Sequence, residues 1–590
     1  MNYKAQEEAE NFLNNEKQFH LGMLPTEQSN PKTRNIDLTF EKNPADGVAL
    51  LLSVDRDIQS MAKKILEGNE FREMVDAGVN TIANGGNIVF SGCGSTGRLS
   101  ILLEAMWRYF FRDLRNKYPD LYIKIKKNED RVFSIMTGGD YAMIRSVEYF
   151  EDYQEFGKQQ VRELELSSVD MLIAITEGGE TSSVLGTVEE AADRGAKVFL
   201  LFNNPVSVLV ENIERSRRAI EDPRVTVLEL YCGPMAIAGS TRMQATTAEL
   251  LIAGAALEII LSRSIRQLIP QNLQEKLNIR EIDYAMAFST LLDELLTVWN
   301  TETIAAYINL EKEIYQEKGL VTYYADEYLL DIFTDTTERA PTFMLPPFRK
   351  SDDLISPVSW AFVKSPLQPT AAEWEHILGR RPRCLEWDSG LYRQMGVPES
   401  LASTPPKLDE TEILKFLIGN EKDDSRLSRT PNIAVSILGS KETIGPVYND
   451  YQQAFQQSTS AFKKRLTFII GHDDASADYQ VRCEPASSVL NLMERLAVKL
   501  LLNTISTGTM VLSGRVTGNW MSCVEISNKK LRDRGIRLIA EICGLSYKDA
   551  CYTLHEAIEK LKEETLAGEE RLSPVQFTIN QYRAGDKSKD

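Results

Sequence analysis

The sequence predicts an α/β protein: two tandem, doubly wound parallel-sheet domains followed by a C-terminal helical cap. Three observations carry this expectation. Short apolar runs alternate with helical patterns through the first third of the 590 residues, the arrangement that builds a parallel sheet covered on both faces. The alternation begins again from about residue 286, and after about residue 486 the chain reads as helix almost to its end. The expected limits are an N-terminal segment 1–45, a first domain 46–285, a second domain 286–485 and a cap 486–590.

A helical stretch around 47–83 leads to a strand at 87–90, a glycine-rich turn and a helix over 99–115. RVFSIM (131–136) predicts the next strand and TGGD (137–140) the turn after it. VDMLIAIT (169–176) predicts a buried strand, EGGETSSV a loop, and LGTVEEAADRGA a helix closed by its glycine. KVFLLFNNP (197–205) and RVTVLEL (224–230) complete five runs of strand length. In the second half, helical residues from Tyr284 precede the strand GLVTYYAD, and NIAVSILGS (432–440) and RLTFIIGHDD (465–474) follow. The stretch 344–430, rich in proline and charge, has no legible pattern.

Composition is that of a soluble protein, 43% hydrophobic and 26% charged. The net charge of −18 argues against a nucleic-acid partner, which needs a basic surface to displace counterions. An anionic ligand must therefore be held by local donors. Seven scattered cysteines, none at zinc or CxxC spacing, fit reduced thiols and a cytoplasmic location. The polar, acidic start MNYKAQEEAENF is wrong for a signal peptide. No uninterrupted apolar run reaches the roughly 18 residues that cross a bilayer, so no membrane association is expected.

The most informative stretch is IVFSGCGSTGRLS (88–100). A glycine loop between a strand and a helix N-terminus gathers backbone N–H groups, and the helix dipole favours an anion there by about 0.3–1 kcal/mol. Gly92, Gly94 and Gly97 allow close approach, Ser95 and Thr96 add hydroxyl donors, and Arg98 adds charge. The spacing matches the dinucleotide fingerprint G-x-G-x-x-G, but that motif also needs an acidic residue about 20 positions on, and Asp140 lies too far away. No Walker lysine follows. A ligand-free tight turn is the alternative reading. A second loop, Thr176-Glu177-Gly178-Gly179-Glu180-Thr181, opens another helix at a strand end. Two such helix starts facing one crevice suit a sugar monophosphate, with Thr176, Gly178 and Thr181 at its edge. Glu148 and Glu151 share a helix face at i, i+3 spacing, either as a functional pair or as a solvated face.

SGCGSTGRLS resembles the phosphate loop of sugar isomerase (SIS) domains in N-acetylmuramic acid 6-phosphate etherases and glucokinase regulatory protein. TEQSNPKTRNID (26–37), TGGDYAMIRSVEYFED (137–152), GSTRMQATTAEL (239–250) and LLNTISTGTMVLSGRVTGNWM…ISNKKL (501–531) are similar to further segments of both, in the same order. The length implies the double-SIS form, in which the second domain supplies internally what a dimer supplies by symmetry. GLVTYYADEYLLDIFTDTTERAPTF (319–343) is similar to that second domain but lacks the glycine loop, so one phosphate site per chain is expected. By resemblance, Glu151 is one etherase catalytic carboxylate. The other falls at Met106 in the first domain and is replaced by Glu338 of the second. Lys530 matches a lysine that reaches the sugar phosphate from the helical cap. Glu177 and Glu180 depart from the family's small and hydroxyl residues, and a carboxylate there would repel a phosphate.

The resemblance implies a sugar-phosphate-binding regulator or sensor of amino-sugar or carbohydrate metabolism. The alternative is an etherase-type lyase that releases lactate from N-acetylmuramic acid 6-phosphate, with Glu151 and Glu338 as its acid–base pair. An aldose–ketose isomerase ranks last, because His20, His376, His472 and His555 lie outside the recognised loops. No cofactor and no metal is expected. The expected partner is a small-molecule sugar phosphate, with a sugar kinase implied by analogy alone, and the expected state is a monomer with an internal pseudo-dimer.

Overall fold

The computed structural model describes residues 3–586 apart from 148, 473, 475, 565–569 and 571. It contains two five-stranded sheets. The first comprises β1 (Ile88–Gly92), β2 (Val132–Met136), β3 (Met171–Ile175), β4 (Lys197–Phe202) and β5 (Val225–Glu229), in the order β2-β1-β3-β4-β5. The second comprises β6 (Leu320–Tyr324), β7 (Ala361–Lys364), β8 (Asn432–Gly439), β9 (Lys464–Gly471) and β10 (Tyr479–Arg482), in the order β7-β6-β8-β9-β10. All neighbouring strands are parallel. Both sheets therefore share one winding, in which the second strand lies outside the first and the rest follow in sequence. Central strands such as Met171–Ile175 are buried at every residue, as a sheet covered on both faces requires.

β7 lies inside the stretch 344–430 that showed no pattern, and β10 follows the polar residues after β9. Each has four residues, too few to stand out among proline and charge. The glycine-loop helix runs Ser95–Lys117, so the hydroxyl residues of the loop form its first turn. The C-terminal region is less continuous than expected. Helix Leu492–Leu512 ends before Gly514 and Gly518, both in the left-handed region (φ 73° and 60°). Helices Lys529–Cys543, Tyr547–Glu564 and Pro574–Asp586 then pack on one another, and the N-terminal helix Tyr3–Asn15 packs against the second of them.

Helix Leu492–Leu512 is not part of that layer. It packs against Gln244–Ile265 of the first half and against Val298–Gln316 and Leu329–Phe343 of the second. The segment Gln244–Leu268 is long and apolar enough to cross a membrane by length and composition, yet its apolar window is wholly buried in the protein. All seven cysteines are free.

The stretch 344–430 bridges the two halves. Arg380 donates to both carboxylate oxygens of Asp140, at 2.5 and 3.1 Å, and to Glu104 Oε1 at 2.9 Å. Arg383 pairs with the same Glu104. Burial opposes a charge on Glu104, but Arg380, Arg383 and Arg108 overcome it and hold its carboxyl at about 2. These contacts fix the turn Thr137–Asp140, one wall of the crevice where β1 and β2 end.

Candidate functional site

The glycines of 92–97 do different work. A Cβ on Gly92 would lie 2.4 Å from the backbone of Thr96, and one on Gly97 would lie 2.7 Å from Met136. Their absence lets strand and helix close on each other. Gly94 meets nothing but has φ +57°, so it makes the turn. The first-turn N–H groups that follow have no intrahelical acceptor and open onto a cleft lined by Gly94 and Ser95.

Thr96 differs from expectation. Its Oγ1 accepts from Cys93 N at 3.0 Å and donates to Cys93 O at 2.9 Å, and the residue is buried. It ties the loop together and presents no free donor. Arg98 also turns away from the loop. Its Nε donates to Met143 O at 2.8 Å, and its guanidinium pairs with Glu338 at the cleft wall.

The second loop shows the same division. Thr176 is fully buried and donates to Thr181 Oγ1 at 3.0 Å, whereas Thr181 lines the cleft. Gly178 shapes the loop through its carbonyl, which accepts from Asn204 at 2.9 Å. Glu180 does not face an incoming phosphate. It accepts from Lys530 Nζ and Arg215 Nη2, both at 2.8 Å. Burial works against its charge, but these two cations hold it at about 2. Glu177 does line the cleft, and burial pushes it up to about 7.

Glu148 lies outside the described residues. Tyr149 has φ 71° and Phe150–Asp152 is a single 3₁₀ turn, so Glu151 does not stand on an α-helix. Glu151 itself lines the cleft and accepts from Asn528 Nδ2 at 2.6 Å. Burial raises its pKa, with Lys530 opposing. Asn528 has two roles, since its Oδ1 also accepts from Leu531 N at 2.8 Å and caps helix Lys529–Cys543.

Lys530 stands in the first turn of that helix, where the dipole disfavours a cation by about 0.3–1 kcal/mol. Glu180 offsets this, and the neighbouring carboxylates raise the lysine's pKa against its burial. The cap is latched by the N-terminal signature. Glu27 accepts from Arg534 at 2.6 and 2.9 Å and from Arg537 at 2.9 Å. Thr33 donates to Ala236 O at 2.6 Å, and Asn30 donates to Pro234 O at 2.7 Å.

Of the residues expected at the site, Gly94, Ser95, Arg98, Glu151, Thr181, Glu338 and Lys530 line this one cleft. Gly92, Thr96, Gly97, Thr176 and Gly178 build the loops behind it. Ser240, Thr241 and Arg242 also line it, as do Asn528 and Arg534, and sequence reasoning nominated none of these five. All but Arg534 sit inside or beside quoted motifs (GSTR and ISNKKL), and the asparagine before a helix was readable as a cap. None of the four histidines is among the lining residues.

The fold and its cleft at the strand ends define an α/β protein of the SIS class, and comparison with known proteins gives the relatives. Residues 70–192 match the family described as glucokinase regulatory protein N-terminal SIS domain. The chain is 30% identical over 233 residues to N-acetylmuramic acid 6-phosphate etherase 1 of Bacillus licheniformis, covering 40% of this chain and 67% of that protein. It is 31% identical over 233 residues to the N-acetylmuramic acid 6-phosphate etherase of Petrotoga mobilis, covering 39% and 67%. Among solved structures it is similar to the C-terminal domain of glucosamine-fructose-6-phosphate aminotransferase from Francisella tularensis, at 11% identity and TM-score 0.39, covering 75% of this chain and 95% of that one. The chain belongs to the SIS-domain family of N-acetylmuramic acid 6-phosphate etherases and glucokinase regulatory protein.

Proposed function

We propose that the cleft binds a sugar phosphate and that the protein acts as a sensor or regulator through its cap. One observation carries this reading. The glycine-loop helix N-terminus with Ser95, the Thr181 loop, Ser240 and Thr241, and Lys530 of the cap all line a single cleft. The phosphate sits on the first-turn N–H groups and Ser95, and Lys530 closes over it. Gly92, Thr96, Gly97, Thr176 and Gly178 act by shaping the two loops. The protein works as a cytoplasmic monomer, its two sheets forming an internal pseudo-dimer around one site. A sugar kinase would be its partner by analogy.

A second reading, an etherase-type lyase, is favoured by a separate observation: Glu151 and Glu338, from different halves of the chain, line the same cleft. In that chemistry Glu338, as a carboxylate, takes the proton from the carbon beside the sugar carbonyl. The electron pair forms a carbon–carbon double bond, the ether C–O bond breaks, and protonated Glu151 delivers its proton to the leaving lactyl oxygen. Each proton transfer contributes about 10²–10⁴-fold.

The test is incubation with N-acetylmuramic acid 6-phosphate, following released lactate and, by calorimetry, binding. Lactate that disappears in Glu151→Gln establishes the lyase. Binding without lactate establishes the sensor. Neither binding nor lactate, with this sugar phosphate or simpler ones, removes both readings.

A further inference from the structure

The charges facing the cleft are unevenly matched. Each of its cations is held by a carboxylate: Arg98 by Glu338, Arg242 by Asp335, Lys530 by Glu180 and Arg534 by Glu27. Two carboxyls facing it, Glu151 and Glu177, have no ion-pair partner among the described residues. Glu151 accepts the Asn528 amide. Glu177 lacks even that: it is 8% exposed, and no other described residue donates a hydrogen bond to its side chain. Lys530, Glu338 and Glu151, which line the same cleft, act on it through their charges. Cys93 lies on the adjoining loop, and the fully buried Glu249 stands on the core side.

A buried carboxyl left unpaired beside a phosphate site is costly unless the ligand brings its counter-charge. β3 ends at Ile175, two residues before Glu177, and is the hydrogen-bonded neighbour of β1, which leads into the glycine loop. Adjacent strands lie about 5 Å apart, so one monosaccharide can touch both loops. We propose that the ligand is an amino-sugar phosphate whose amine is free and protonated, and that Glu177 is the residue that receives the ammonium. This rests on the phosphosugar reading of the same cleft. The phosphate takes the helix N-terminus, the ammonium makes charge-assisted hydrogen bonds to Glu177, and the ligand's two charges meet two complementary subsites. A hydroxyl or an N-acetyl group at that position carries no charge and leaves the carboxyl unmatched.

Protonation of Glu177 is the competing way to relieve it, and the two have opposite proton balances. Burial holds the group at about 7, so at neutral pH it is protonated part of the time. An ammonium lowers its pKa and expels that proton, whereas a phosphate without a cation raises it and draws a proton in.

The experiment is calorimetry of the full chain near neutral pH, in two buffers of different ionisation heat, with glucosamine 6-phosphate, glucose 6-phosphate and N-acetylglucosamine 6-phosphate. Glucosamine 6-phosphate is expected to bind about tenfold more tightly than the other two and to release protons. Glu177→Gln is expected to bring the three within about threefold of one another. An amine that binds no more tightly than the hydroxyl, proton uptake with the amine, or a preference that survives Glu177→Gln would each overturn the proposal. If that variant does not fold, the wild-type ranking and proton balance decide alone. Glucose 6-phosphate bound as tightly as the amine leaves the phosphosugar reading standing and removes this one. Failure of all three sugars to bind removes both.

Discussion

Replacing Glu27 by glutamine should unlatch the cap without unfolding the sheets. Glu27 is buried and accepts three charge-assisted hydrogen bonds, two from Arg534 and one from Arg537. Arg537 keeps a second acid, Asp533, at 2.8 Å. Arg534 keeps none among the described residues, and it is buried against Gly239, where a Cβ would lie 2.5 Å from its Nε. Glutamine preserves the volume but leaves a buried, unpaired guanidinium, which costs about 3–5 kcal/mol. The cap can escape that cost by lifting Arg534 into water, so the loss falls on cap closure. Amide exchange in Lys529–Cys543 should then rise by about 10²- to 4 × 10³-fold, at about 1.4 kcal/mol per tenfold, while helix Leu492–Leu512 stays protected as an internal reference. The combination with Arg534→Met should recover much of the loss, because no charge is then left unpaired. Exchange that changes less than about threefold, or rises equally in both helices, would refute the latch. The pH dependence has a definite sign. Despite its burial, Arg534 and Arg537 hold Glu27 well below the usual carboxylate range. Its contribution is therefore complete above the unfolded-state pKa and is lost as pH falls toward the folded value, so acid should open the cap.

Other expectations follow from the same geometry. Ser95→Ala should weaken phosphosugar binding about tenfold with little change in melting temperature, whereas Thr96→Ala should cost about 1–2 kcal/mol of stability because its hydroxyl ties Cys93 at both ends; equal effects of the two in a paired melting and binding assay would contradict the assigned orientations. Gly92→Ala should prevent soluble folding, since the new Cβ meets Thr96 backbone at 2.4 Å, while Gly94→Ala, in open space at φ +57°, should cost about 1–2 kcal/mol; thermal melts decide. Glu180→Gln should destabilise the protein by about 3–5 kcal/mol and flatten its stability profile between pH 4.5 and about 2, the interval over which this depressed carboxylate loses its contribution; acid titrations of both proteins test this.

Much of the fold was legible because a two-face-buried parallel strand writes itself as an unbroken apolar run. Eight of the ten strands were read that way, and β7 and β10 escaped because four residues cannot make a run. The glycine loop was legible for a steric reason, since only glycine tolerates the contacts at 92 and 97. What sequence could not give was side-chain direction within the loops. Thr96 and Ser95 are adjacent hydroxyls of opposite fate, and Glu177 and Glu180 are two carboxylates three residues apart, one facing the cleft and one held by Lys530 and Arg215. Thr96 is turned inward by a partner three residues away, Cys93, which hydrophobic patterning does not reveal, whereas Glu180 is held by Lys530, 350 residues away. The role of 344–430, whose Arg380 and Arg383 clamp Glu104 and Asp140, is equally non-local.

The loss of the glycine loop from the second half has a structural counterpart. In the first half, the helix after β1 meets the cleft end-on through its N-terminus. In the second half, the helix after β6, Leu329–Phe343, meets the first half side-on. Asp331, Asp335 and Glu338 fall at i, i+4 and i+7, one stripe of the helix. They pair with Arg495, Arg242 and Arg98 respectively. This helix presents an acidic face that docks against basic residues of the first half and the central helix, and its last member also forms the cleft wall. Domain docking and site assembly thus share contacts, Arg98–Glu338 above all. A ligand in the cleft must stabilise the junction between the halves as well as the loop that holds it, by RT ln(1 + [L]/Kd). Weakening Arg242–Asp335, which forms no part of the glycine loop, must in turn weaken ligand binding.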